Sequence, residues 1–280
     1  MNLTDEQNML RDSAARYLLD NYDFEKRQKI AKEQDGFDPE VWQTFAEMGW
    51  LAMPLPEATG GFDSGATEVM LLCEQMGRHL VLEPYLETVV VTGGLLRAGT
   101  AGYQERYLPA LAEGSLQGAL AHGEPNKHRS LANVETRAVR VDGGFELSGS
   151  KAVVLNGSAA DLFIVSARTS GQPGDIAGVT MFAVPADAPG LTRRDYRTYD
   201  DRRACDLSFS RVVVPSEAVV GERDDADGTL GPVSDLAQLA ACAEAVGAMD
   251  ALLEATVDYT RQRVQFGQAL SQFQVLRHRM

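Results

Sequence analysis

The chain has 280 residues, of which 26 are Lys or Arg and 40 Asp or Glu, a net charge of −14, with 44% apolar and 24% charged residues. This is a globular composition with room for a core and for up to three domains. Its negative surface argues against nucleic acid and anionic membranes as partners, and no apolar run is expected to reach a membrane span.

The first residues, Asn2-Leu3-Thr4-Asp5-Glu6, are acidic and lack the apolar core of a signal peptide. Cys73, Cys205 and Cys242 are isolated and odd in number, which suits packing roles in a reducing, cytoplasmic setting. Residues 1–114 read as helical. Thr4 with Gln7 predicts a capping box, and Asp38-Pro39 predicts a helix start that ends near Gly49. Pro54 to Gly61 reads as a loop, followed by helices at about 64–79, 84–98 and 101–113 closed by Gly114.

The texture changes at residue 115. Short β-type runs follow: Ala119–His122, Val134–Val141, Phe145–Leu147, Ala152–Leu155, Leu162–Ala167, Val179–Val184, Leu207–Phe209 and Val212–Val214. Asp142-Gly143-Gly144 is a hairpin signal, and the spacing predicts an antiparallel sandwich or barrel over 115–228. From residue 229 the pattern is helical again, with one long helix expected from Leu230 to Arg263 and another beginning near Ser271.

Several chemistries find no motif. GxGxxG, the P-loop, HExxH and GxSxG are all absent, and the four histidines are scattered. Asp224-Asp225-Ala226-Asp227-Gly228 lacks the closing Glu of a calcium loop and reads as a solvated turn. The Arg193–Arg197 and Arg202-Arg203 region, interleaved with Asp200 and Asp201, reads first as a charge-balanced surface loop and second as a contact for an anionic ligand or a partner subunit. In Arg263-Val264-Gln265-Phe266-Gly267, the glycine suits a helix C-cap, and Ser271 with Gln274 suits a capping box. Those roles leave Arg263, Gln265, Phe266 and Phe273 unexplained. An Arg fork suits a pyrophosphate and an aromatic ring suits a stacked adenine.

The chain resembles the acyl-CoA dehydrogenase family over its whole length. The matching pieces are Leu3 to Gln7, Pro54 to Gly61, Gly149-Ser150-Lys151 with Asn156-Gly157, Phe209 with Val212 to Pro215, and Tyr259 to Gln274. Within it, Leu82-Glu83-Pro84-Tyr85-Leu86 and Cys242 to Met249 resemble the pimeloyl-CoA dehydrogenase small subunit type. The resemblance implies separate α and β domains: an N-terminal helical domain (1–114), a middle antiparallel β-barrel (115–228) and the start of a C-terminal helical bundle (229–280). It implies FAD as cofactor, an acyl-CoA substrate, a homo- or hetero-oligomer, and an electron-transfer flavoprotein as acceptor. It assigns Arg263 and Phe266, with Gln265, Leu270 and Phe273 alongside, to the adenine half of FAD in a neighbouring subunit. It assigns His122, Gly123, Val153, Val154 and Leu155 to the flavin ring. The reaction implied is α,β-dehydrogenation, in which a carboxylate removes a proton and the flavin takes a hydride.

Some family features are replaced. The hydroxyl residue before Glu124-Pro125 is Gly123, and the Gly-Ser-Asp that follows is His128-Arg129-Ser130. The aromatic shield of the ring is Val153, and the hydroxyl residue near the reactive nitrogen is Leu155. Two side-chain hydrogen bonds, each worth about 1 kcal/mol, are thereby lost. The family's usual catalytic Glu falls beyond residue 280, and the alternative position, near Ala237, holds no carboxylate. Glu244 and Glu254 read as surface or interhelix residues, so no catalytic base is assigned. Two roles follow: a subunit with its own working flavin, or a non-catalytic partner that lends Arg263 and Phe266 to another chain.

Overall fold

Helix α1 (Asp5–Asn21) starts where the capping box predicts. The Thr4 hydroxyl accepts from the Gln7 N–H at 3.2 Å, and the Gln7 side chain accepts from the Thr4 N–H at 3.0 Å. This computed structural model describes residues 2–126 and 130–280. A short helix, α2 (Phe24–Ile30), follows; its seven residues are too few to show a helical period, although Asp23 caps it by accepting from the Lys26 N–H at 2.7 Å. Helix α3 (Pro39–Glu47) buries Val41, Trp42 and Phe45, and its first turn is capped by Asp38. Gly49 (φ +76°) takes the chain out of it in the left-handed region.

Helix α4 (Ala66–Arg78) is followed by a segment expected to be α-helical over 84–98. Most of it, Tyr85–Gly93, is instead a nine-residue π-helix, ending in one α turn, α5 (Gly94–Leu96). The wider winding lets the Thr92 hydroxyl donate to the Glu87 carbonyl five residues back, at 2.9 Å. Such windings are rare and concentrate at functional sites. Helix α6 (Ala101–Ala112) closes this region, with Gly114 at φ +76°.

The strands are β1 (Gly118–Ala121), β2 (Arg137–Val141), β3 (Gly144–Leu155), β4 (Leu162–Arg168), β5 (Val179–Pro185), β6 (Leu191–Arg197), β7 (Arg203–Pro215) and β8 (Val219–Val220). Their order is β6-β7-β3-β2-β4-β5-β8, with β1 added to β4. The sheet is therefore an open path with β6 and β8 at its ends, not the closed barrel that was expected. Nor is it wholly antiparallel: β1 runs parallel to β4, and Arg137 on β2 pairs in parallel with Arg168. The predicted hairpin forms, with Asp142 and Gly143 linking Val141 to its partner Gly144. The two runs expected at 145–147 and 152–155 are one strand, because Lys151 between them is buried rather than exposed. Arg193–Arg197, read as a loop, lies in β6, one of the sheet's edge strands. Its Arg193, Arg194, Asp195 and Arg197 place charge where an open edge would otherwise invite another strand.

The sheet's core joins Phe145, Phe163, Phe182, Leu207 and Val212, all 4% exposed or less. Phe145 and Phe182 pack with ring centroids 5.1 Å apart. Gly118 is required where β1 meets the π-helix, since a Cβ there would lie 2.4 Å from the Thr92 side chain.

Helix α7 (Ala226–Gln262) covers the long helix predicted from Leu230. By length and composition it is the one helix among the described residues that could cross a membrane, contrary to the expectation that no run is long enough. Two compact units emerge. One holds Met1–Arg27, Met70–Val81 and Ala240–Met280; the other holds Gln28–Val69 and Leu82–Leu239. In the first, α7 and α4 approach backbone to backbone at Gly77 and Gly247. Glu254 pairs with Arg78 at 2.7 Å, an interhelix role as expected.

Candidate functional site

Strand β3 carries a lysine on its inward side. Lys151 is 0% exposed, and its ammonium donates to the Glu124 carboxylate at 2.9 Å, the Ser166 hydroxyl at 3.0 Å and the His122 carbonyl at 3.2 Å. All three ammonium hydrogens thus have an acceptor. Glu124 in turn accepts the N–H groups of Glu135 and Thr136, each at 2.9 Å. His122 Nδ1 lies 3.0 Å from the Ser166 hydroxyl. The Ala152 N–H donates to the Gly123 carbonyl at 2.8 Å. Segments 122–124 and 151–155, separate in sequence, are therefore joined by an ion pair and two backbone carbonyls.

The electrostatics follow from that burial. Burial pulls the Lys151 ammonium down to about 8, and Glu124 offsets only part of that effect. Burial also pushes the Glu124 carboxyl up, but Lys151 and the Thr136 N–H outweigh it and hold it below its ordinary value. The site is thus a compensated pair in a dry setting.

Beside the pair the backbone is strained. Val153 sits at φ +54°, a region β-branched residues avoid, and its N–H donates to Asp206 at 3.2 Å. A register shift between β3 and β7 falls at Lys151/Val154. The shift turns the Val153 side chain outward (43% exposed) while Val154 is 1% exposed and Leu155 is half-buried. Val153→Gly is expected to leave stability unchanged or raise it by up to about 1 kcal/mol, because glycine relieves the left-handed strain. Val154→Ala is expected to cost about 2 kcal/mol. Urea midpoints of the two variants would check the contrast; a Val153→Gly loss as large as that of Val154→Ala would show that the strain is illusory.

The second predicted group lies in the other compact unit. After α7 the chain forms a tight hairpin of β9 (Val264–Gln265) and β10 (Gln268–Ala269). Its two-residue turn is Phe266 (φ +53°) and Gly267 (φ +82°), both left-handed as a type I′ turn demands. Gly267 is therefore a turn residue rather than the C-cap expected. The expected Ser271–Gln274 capping box is not formed either: the helix α8 (Gln274–Arg277) begins after Phe273 with no side-chain cap. The turn thrusts the Phe266 ring outward, 92% exposed, with the Phe273 ring edge-on at 6.3 Å. Arg263 and Gln265 are exposed beside it, and Leu270 and Phe273 are half-buried beneath.

The structure thus gathers Arg263, Gln265, Phe266, Leu270 and Phe273 in one unit, and His122, Gly123, Val153, Val154 and Leu155 in the other. Lys127, His128 and Arg129 lie outside the described residues. Sequence reading did not single out Lys151, Glu124 and Ser166 as site residues. The available signal was Lys151 itself, a charge on an alternation whose neighbours Leu147 and Val154 are buried. Asp224, read as a solvated turn, accepts from the Thr169 and Ser170 hydroxyls at 2.6 and 2.8 Å, which ties it to the end of β4.

For FAD, the donor chemistry fits at both places. One offers an exposed ring beside a guanidinium; the other offers two backbone segments held rigidly by a buried ion pair. Family models match for the acyl-CoA dehydrogenase N-terminal domain (residues 4–115), middle domain (119–212) and C-terminal domain (235–280). The chain is 30% identical to the mitochondrial 2-methylacyl-CoA dehydrogenase of Solanum tuberosum, over 99% of this chain and 69% of that protein. Among solved structures, the FAD complex of PigA superposes with a TM-score of 0.91 at 26% identity, covering 100% of this chain and 74% of that one. A variant of the Tcur3481-Tcur3483 steroid ACAD superposes with a TM-score of 0.86 at 29% identity, covering 98% and 72%.

Proposed function

The chain belongs to the acyl-CoA dehydrogenase family, and on that premise we propose that it is a subunit of an FAD-dependent enzyme that introduces an α,β double bond into an acyl-CoA thioester. FAD, when bound, supplies the hydride-accepting chemistry. Residues of this chain bind and orient it. The backbone of 122–124 and 153–155, locked by Lys151 and Glu124, offers the ring a wall that needs no rearrangement. The outward Arg263 and Phe266 offer a pyrophosphate fork and an adenine stack. The outward ring carries the reading, because a phenylalanine 92% exposed at a type I′ turn, met only edge-on by Phe273, leaves its faces open.

A second reading concerns the subunit's share of the work. With Gly123 and Leu155 in place of hydroxyl residues, the ring wall is bonded through backbone alone, while Arg263 and Phe266 are intact. This supports a partner subunit, of the pimeloyl-CoA dehydrogenase small subunit type, that completes an FAD site in a hetero-oligomer.

Purification of the protein alone, and after co-expression with a larger acyl-CoA dehydrogenase chain, tests both readings by the flavin absorbance that copurifies. Flavin and activity in the protein alone would remove the partner reading; flavin in neither preparation would remove both. Arg263→Ala is expected to weaken FAD retention tenfold or more, since one charge-assisted bond is worth about 1.5–3 kcal/mol. The melting temperature without FAD should not change. Full retention would exclude the adenine-side role of Arg263.

A further inference from the structure

Strand β1 runs parallel to β4 with Ala121 beside Val165, so the next pair in that register is His122 and Ser166. Ala121 and Val165 belong to the sheet's core, which turns His122 and Ser166 to the opposite face. There they meet: His122 Nδ1 lies 3.0 Å from Ser166 Oγ. The contact belongs to a longer chain, since the Lys151 ammonium donates to the same hydroxyl at 3.0 Å and to the His122 carbonyl at 3.2 Å.

Counting hydrogens fixes the direction of that chain. A serine hydroxyl has one hydrogen and two lone pairs. An ammonium cannot accept, so Ser166 gives a lone pair to Lys151 and must send its own hydrogen elsewhere. Ser166 is 0% exposed, and among the described residues the only other partner of its hydroxyl is His122 Nδ1. A hydrogen on Nδ1 would point at Ser166 and leave the hydroxyl hydrogen buried with no acceptor. Nδ1 is therefore the acceptor, and the ring hydrogen sits on Nε2. A doubly protonated ring meets the same obstacle.

His122 itself is half-buried, whereas Ser166 and Lys151, the partners of its Nδ1 and its carbonyl, are both 0% exposed. The accessible part of the residue therefore lies away from them. At Gly123 and Leu155 the same wall has no hydroxyl to offer.

We propose that His122 is a side-chain donor to the flavin ring, held as the Nε2–H tautomer by Ser166 and, through it, by Lys151. This role rests on the reading of 122–124 as the ring wall. His122 Nε2–H donates to an acceptor on the ring of bound FAD, while Ser166 is a positioning residue that touches no cofactor. A wall so equipped is not bonded through backbone alone, which favours a subunit with a flavin of its own.

Long-range 1H–15N correlation of the imidazole nitrogens reads the tautomer directly. It is recorded on the full chain without FAD at neutral pH, below the Lys151 value of about 8, with His122→Phe to assign the signals. Wild type should show a bare Nδ1 and a protonated Nε2, and Ser166→Ala a mixture of tautomers. In the preparation that carries flavin, His122→Phe should weaken FAD retention about fivefold, the equivalent of one neutral hydrogen bond. Ser166→Ala, which keeps the imidazole, should weaken it less. A hydrogen on Nδ1 in wild type, or a tautomer that Ser166→Ala leaves unchanged, would overturn the positioning by Ser166. A fixed Nε2–H with FAD retained equally by wild type and His122→Phe would overturn the donor role and leave the dehydrogenase reading standing. Flavin absent from every preparation would remove that reading and the donor role together, with the wild-type tautomer still as the network dictates.

Discussion

Lys151→Met is expected to cost about 3–5 kcal/mol of stability, because it strips the partner from a buried carboxylate that is 6% exposed. Methionine preserves most of the volume, so a cavity is not the cause. The cost is the Glu124 charge, which keeps its two backbone donors but loses its cation. Adding Glu124→Gln to Lys151→Met should recover a large part of the loss, since no unpaired charge then remains. A double variant no more stable than Lys151→Met would show that the packing of the lysine stem, not the ion pair, is what counts.

The same pair gives a pH signature. The Lys151 value in the folded protein, about 8, lies below its ordinary 10.5. Between those values the unfolded chain holds the proton and the folded one does not. The lysine's contribution therefore favours folding progressively as pH rises through that window, by about 3 kcal/mol in all. Glu124 runs the same way in a more acidic window: held below its ordinary value, it contributes stability present at neutral pH and lost as pH falls through its folded value. Subtracting Lys151→Met from wild type cancels the groups remote from the pair, though not Glu124, which loses its cation in the variant. The difference in unfolding free energy should grow between pH 8 and 10.5; a flat difference would refute the depressed lysine. If 122–124 holds the flavin ring, Lys151→Met should also loosen FAD in the assembly. The ion pair would then anchor the ring segment without touching the ring.

What was legible in the sequence follows the range of the interactions. Thr4–Gln7, Asp38-Pro39 and Asp142-Gly143 were readable because caps and tight turns are settled within four residues. Helix α7 was readable because its length repeats one pattern many times. The barrel was not: whether β6 and β8 meet depends on the pairing of strands far apart in sequence, which alternation does not encode. Lys151 and Glu124, 27 residues apart, look like surface charges until the sheet brings them together. Phe266-Gly267 was read as a helix end because a glycine after a helix usually is one. Only the pairing of Gln265 with Gln268 shows the turn to be a hairpin.

Gly247→Ala is expected to be among the most damaging single-methyl changes in the chain. A Cβ at Gly247 would lie 1.9 Å from the Glu74 carbonyl oxygen, and one at Gly77 would lie 1.9 Å from that of Glu244. Both obstacles are backbone, so no side chain can swing aside and α4 and α7 must move apart. Overpacking of this kind costs about 1–3 kcal/mol, and a rigid obstacle places it at the upper end. Alanine's better helix propensity, worth about 1 kcal/mol, offsets only part. The second glycine variant should cost less on the background of the first, because both open the one seam between α4 and α7. Chemical denaturation of the two single variants and the double would measure this; strict additivity would mean the glycines act separately. The seam also bears on the site at the helix end. The Arg263 N–H donates to the Tyr259 carbonyl at 2.8 Å, so the Phe266 hairpin is an extension of the last turn of α7. About 24 Å of rigid helix separates Gly247 from Arg263. Tilting α7 at its seam should therefore weaken FAD retention together with stability, whereas Arg263→Ala should weaken retention alone. If Gly247→Ala destabilised the protein yet left FAD retention intact in the assembly, the hairpin would be positioned by its neighbour rather than by its own helix.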